Sequence, residues 1–125
     1  PVDPAAIGEQ YKLAINTLIN CPHLRVKWPA AAPQLKELIS AVGITFYYDP
    51  KMPYDYYAFA SPPDAIVFGP AFMAEDKFMQ EQIIAHEMLH LAGLPVHVIP
   101  PSGKPDFIND SIYKAIRFCY AGVSP

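Results

Sequence analysis

Residues 75–95 read EDKFMQEQIIAHEMLHLAGLP, and this stretch decides how the rest of the chain is organised. From Glu75 to Ala92 it holds neither proline nor glycine, and Phe78, Ile84, Ala85, Met88, Leu89 and Leu91 make most of its surface apolar. Met79, Ile83, His86 and His90 fall on one stripe at helical spacing. The spacing predicts a helix with Glu75 and Asp76 in its first turn, where acidic groups complement the helix dipole, and a stop at Gly93 and Pro95. A helix this apolar is buried, so the polar side chains it carries must find partners. Those side chains are His86, Glu87 and His90, spaced HExxH. Two histidines at i and i+4 stand about 40° apart around a helix and roughly 6 Å apart along it. Their imidazoles can converge on one tetrahedral Zn²⁺, while Glu87 is placed beside the ion to hold a water and take its proton. The plainer reading of the same residues is a pair of hydrogen-bonded histidines without a metal.

Outward from this helix the chain reads as a small α+β domain. Pro4 to Asn20 is predicted helical, with Asp3 as N-cap, Pro4 at the first helical position, and Tyr11, Ile15, Leu18 and Ile19 on an apolar face. Cys21-Pro22 ends it. Gln34 to Val42 is expected as a short second helix stopped by Gly43, Ile44 to Tyr48 as a strand, and Tyr54 to Ala60 as another. Pro62 and Pro63 break the chain before a short apolar strand, Ala65 to Phe68, which Gly69-Pro70 closes. After the HExxH helix a proline-rich loop leads to a final helix from about Asp106 to Tyr120. The fold class expected is a small mixed sheet packed against the HExxH-bearing helix, flanked by N- and C-terminal helices, in one domain over residues 1–125.

Composition narrows the function classes. The chain has 125 residues, 52% of them hydrophobic and 17% charged, which suits one domain with a real core and no disordered tail. A net charge of −3 with lysines and arginines scattered singly supplies no basic stripe for counterion release, so nucleic acid is not an expected partner. No apolar run approaches membrane-spanning length, so no membrane association is expected either. The 15 prolines concentrate in connections, which fits long ordered loops. Cys21 and Cys119 lie near the two ends, where terminal helices can be neighbours. A disulfide between them would close a long loop, and two buried free thiols fit the sequence equally well. The chain starts at Pro1, and nothing in it assigns a compartment or an oligomeric state.

The segment HEMLHLAGLPVH, His86 to His97, resembles the zincin metallopeptidases and, within them, the metzincin-like arrangement. That family follows its second histidine with two residues and a glycine, matched here by Gly93, and then returns a third ligand. The matching position holds Val96, and His97 stands one residue later, so this chain reads HExxHxxGxxxH. The resemblance implies a zinc ion held by His86, His90 and His97, with Glu87 as the catalytic base. It also implies a methionine turn downstream, yet no methionine follows Met88. The related gluzincin pattern takes a carboxylate from a following helix, for which Asp106 and Asp110 qualify. If His97 coordinates instead, those two aspartates can orient a ligand imidazole or act as a helix cap and a solvated face. Peptide deformylases also carry HExxH but need a cysteine ligand in a setting that Cys21 and Cys119 lack. Bacterial rRNA-maturation endoribonucleases share much of the phrase Leu89-His90-Leu91-Ala92-Gly93 but have glycine where this chain has Glu87.

In zincins a strand preceding the active-site helix commonly pairs with extended substrate, which makes Ile66, Val67 and Phe68 the candidate substrate-binding strand. Pure packing in a sheet interior is the alternative. Tyr47, Tyr48, Tyr54, Tyr56 and Tyr57 are expected to pack a half-buried sheet, with groove lining as the sharper alternative. Tyr113 and Tyr120 are the downstream candidates for oxyanion support, and His23 is expected at the surface. The function expected is hydrolysis of peptide bonds in a protein or peptide substrate, through a zinc-held water activated by Glu87. Two other readings stand beside it: a zincin-derived interaction module whose zinc is structural, and a metal-dependent endoribonuclease.

Overall fold

A computed structural model describes residues 4–37, 44–61, 64–93 and 111–121 of the chain. Helix α1 spans Pro4–Ile19, α2 Pro22–Lys27 and α3 Ala31–Glu37. Strands β1 (Thr45–Tyr48), β2 (Ala58–Ser61) and β3 (Ala65–Phe68) follow, then α4 (Pro70–Met73), α5 (Lys77–Leu91) and α6 (Ser111–Ala121). The class is mixed α+β, as the sequence implied. Two short helices were not foreseen, α2 and α4. Each begins with a proline at its first turn, Pro22 and Pro70, where the missing N–H leaves no bond unmade. The prolines read as breaks are therefore also starts.

The three strands form one sheet in the order β1-β3-β2. β1 runs parallel to β3 with Phe46 opposite Ile66, and β2 runs antiparallel to β3 with Ala60 opposite Ile66. The second strand is shorter than Tyr54 to Ala60. Pro53 opens a turn in which the Tyr56 N–H donates to its carbonyl at 3.0 Å, so the backbone enters the sheet only at Ala58. Alternation sorts the two faces. Phe46, Ile66 and Phe68 are buried, while Tyr47 and Phe59, both aligned on Val67, are 44% and 49% exposed. The tyrosines at 47, 48, 54, 56 and 57 are all exposed, which corrects the expectation that they pack a half-buried sheet.

The core forms where the buried face of the sheet meets α1 and α5. Ile7, Ala14 and Leu18 of α1 close on Ile84, Ala85, Met88 and Leu89 of α5, with Phe68 and Phe72 stacked at a centroid separation of 4.1 Å beneath. α5 is the hub, packing on α1, β2, α6, α3 and α4. Its second half is buried nearly all round, whereas Phe78 and Met79 in the first half are exposed. A polar tie fixes its position: buried Gln10 donates to the Gln80 side chain at 3.1 Å, and Gln80 donates in turn to the Phe72 carbonyl at 3.1 Å. Each bond satisfies groups that burial would otherwise leave unpaired.

The two cysteines form a disulfide, Cys21–Cys119, with Cα atoms 5.4 Å apart, joining the start of α2 to α6. His23 is buried rather than at the surface, because α2 turns it inward between Trp28 and the Phe118 ring of α6, the latter at 4.4 Å.

Candidate metal centre

α5 begins at Lys77, two residues later than the charge pattern suggested. Asp76 is the N-cap itself, its carboxylate accepting from the Met79 N–H at 2.8 Å, and Glu75 lies outside the helix, accepting the Tyr57 hydroxyl at 3.0 Å. At the other end Ala92 is the C-cap, and Gly93 adopts φ 92°, a left-handed conformation open to glycine and strained for other residues. These two caps set the phase of the helix, and the phase decides where the motif points.

His86, Glu87 and His90 come together in the second half of α5. Their ligand atoms all lie within 4.8 Å of one another, so one metal ion can be reached by all three. No other group of three such side chains is found among the described residues. The two imidazole rings are 5.0 Å apart at their centroids, inclined at 65°, and His86 Nε2 lies 4.0 Å from Glu87 Oε1. Both histidines are half-buried; Glu87 is 6% exposed. Burial dominates the protonation of Glu87, pushing its carboxyl from 4.5 up to about 8, while a hydrogen bond from the Ala60 backbone works in the opposite direction. A carboxyl this deep is out of place in an ordinary core, and a cation beside it would restore the charged form. Two imidazoles and a carboxylate are a donor set that suits zinc and neighbouring first-row divalent ions; the geometry does not select among them.

The strand assigned to substrate is corrected. Ile66, Val67 and Phe68 belong to β3, the central strand, paired on both sides. The Asp49 N–H donates to the Phe68 carbonyl and the Gly69 N–H to the Tyr57 carbonyl, which sets the alternation along both ladders. Even-numbered residues of β3 bond to β1 and odd-numbered ones to β2, leaving no N–H for an added peptide. The same alternation turns the backbone groups of Ala58 and Ala60 away from β3, toward the outer edge of β2, which pairs with no other strand among the described residues. β2 packs against α5, the helix that carries Glu87.

The remaining candidates divide by location. His97, Asp106 and Asp110 lie outside the described residues, as does the Tyr113 side chain. Tyr120 packs its ring edge-on to Phe78 at 6.0 Å, at the far end of α5 from the motif and about 12 Å along the axis from His86. No described helix is long and apolar enough to cross a membrane. No protein-family model matches the chain, and neither does any curated protein or solved structure.

Proposed function

We propose that the chain is a small zinc-dependent metallopeptidase acting at the His86, Glu87, His90 centre. The observation that carries this reading is the buried Glu87 carboxylate grouped with two histidines whose ligand atoms one ion could reach. His86 and His90 hold the ion, and His97 completes the protein ligands, with Asp106 and Asp110 as the alternatives. When bound, zinc supplies Lewis acidity toward a carbonyl and toward water near neutral pH. Glu87 does the proton work: its carboxylate accepts a proton from the attacking water and returns it to the leaving amine nitrogen. The zincin likeness of the motif supports an extended peptide as the substrate.

The test is elemental analysis after zinc loading, paired with cleavage of fluorescent casein. The reading expects about one zinc per chain, retained by Glu87→Gln and lost in His90→Ala, with casein cleavage present in the wild type and absent in Glu87→Gln. Equal metal content in wild type and His90→Ala would remove the site. Stoichiometric zinc without any cleavage would instead favour a binding module with a structural ion.

A further inference from the structure

We infer that the outer face of the sheet, where the exposed rings of Tyr47 and Phe59 flank Val67, is a docking site for a proline-rich peptide carrying basic residues. The inference stands apart from the metallopeptidase reading and uses none of its residues.

The sheet register builds the site. Tyr47 and Phe59 are both aligned on Val67, so the three side chains make one row across β1, β3 and β2. The next row, Thr45, Ala65 and Ser61, carries only small side chains. Both rows point away from the face that buries Phe46, Ile66 and Phe68. Val67 and Ala65 are half-buried between exposed neighbours, so the middle strand floors a trough and the two rings wall it. The Gly69 N–H, donating to the Tyr57 carbonyl, carries the β2–β3 pairing further and puts Tyr57 in line with Phe59. The Tyr57 hydroxyl donates to Glu75 at 3.0 Å, a bond that limits rotation of its ring. Large rings left side by side in water mark a surface that binds something.

Spacing and charge select the occupant. Rings two strands apart are separated by roughly 9.6 Å, from a strand spacing of about 4.8 Å. A polyproline II helix repeats every three residues over about 9.3 Å, so prolines at i and i+3 of a peptide crossing the strands would meet Tyr47 and Phe59. Alternate residues of a β-strand are only about 6.8 Å apart and miss that interval. Residues 44–64 hold Asp49, Asp55 and Asp64 against one base, Lys51, and Glu75 joins them through Tyr57. Asp49 comes directly after β1 and Asp64 directly before β3, so the acids stand at both ends of the trough. Such a rim attracts arginine or lysine on the ligand, and it repels nucleic acid as well as a second copy of the same face. A preformed polyproline helix also loses little conformational freedom on docking.

Fluorescence anisotropy on the full chain tests the site, with a fluorescein-labelled oligoproline bearing arginine at both ends as the probe. Saturable binding is expected, weakened about tenfold by Tyr47→Ala and by Phe59→Ala and little changed by Tyr47→Phe, which keeps the ring. Glutamate in place of the arginines, or glycine–serine repeats in place of the prolines, should each weaken binding about tenfold. Glu87→Gln should bind the probe as the wild type does, which keeps this site separate from the proposed metal centre. No saturation up to about 1 mM, equal binding of the oligoproline and glycine–serine probes, or an affinity unchanged in both alanine variants would overturn the inference.

Nuclear magnetic resonance of the wild type locates the contact without any substitution. The unlabelled oligoproline should move the side-chain resonances of Tyr47, Val67 and Phe59 more than those of Phe46 and Ile66, which lie on the buried face. Shifts centred on His86 and His90, or spread evenly over the chain, would refute the site. Displacement of the probe by a neutral oligosaccharide at lower concentration than by unlabelled oligoproline would assign the face to carbohydrate and overturn the inference as well.

Discussion

Glu87 should make the metal-free protein less stable as pH rises, and the size of the effect follows from its burial. The unfolded chain releases this proton near 4.5, whereas the folded chain keeps it until about 8. Between those values the native state binds more protons than the unfolded state, so raising the pH favours unfolding; stability is highest below 4.5 and is lost progressively up to about 8. At about 1.4 kcal/mol for each pKa unit, the gap gives a ceiling of about 5 kcal/mol. Relaxation and water entry bring buried carboxyls below such ceilings, so a loss of about 2–5 kcal/mol is expected. Urea unfolding of chelator-treated protein at about pH 5 and about pH 9, compared with Glu87→Gln, isolates the contribution. Glu87→Gln keeps the shape without the titration, so its stability should change less across that range, and it should exceed the wild type at the alkaline end. Parallel pH dependences in the two proteins would refute the reasoning, and would mean that the carboxylate is solvated or already paired with a cation. Zinc, if it binds beside Glu87, should flatten the wild-type dependence.

Replacing both Cys21 and Cys119 with serine removes a crosslink spanning 98 residues. It should lower stability by about 2–5 kcal/mol in urea unfolding, and dithiothreitol should have little further effect on that variant. Gly69→Ala should destabilise by about 1–3 kcal/mol, because its Cβ would sit 2.6 Å from the Met52 sulfur and 2.9 Å from the Met52 Cβ. Trimming the neighbour as well, in Gly69→Ala with Met52→Ala, should recover part of that loss in a double-mutant cycle. Asp76→Ala removes the cap of α5 and should lower the thermal midpoint through a loss of about 1 kcal/mol, with no loss of zinc binding.

The parts of this molecule that follow a local rule were legible in the sequence. The α5 helix, its glycine stop, the strand Ala65–Phe68 and the His86, Glu87, His90 grouping all rest on spacing within a few residues. What needed the third dimension was not. Strand order is set by which edges meet in space, so β3 read as a candidate cleft strand although it lies in the middle. His23 looked like a loop residue because nothing beside Pro22 shows that a helical turn will press it against Phe118. The tyrosines between 47 and 57 read as sheet packing because β propensity is blind to which face is covered. The disulfide stood open for the same reason: Cys21 and Cys119 are compatible with bridging, and only the docking of α6 beside α2 brings them together.

That bridge gives the chain a property of a closed ring. With Cys21 tied to Cys119, a single cut anywhere between them leaves two fragments still joined, including a cut in the connection between α5 and α6. A nicked molecule would migrate as one species until it is reduced, and α6 would stay tethered to the body after its peptide link is gone. A second cut would release only the stretch between the two cuts, and the segments carrying Cys21 and Cys119 would still be held together.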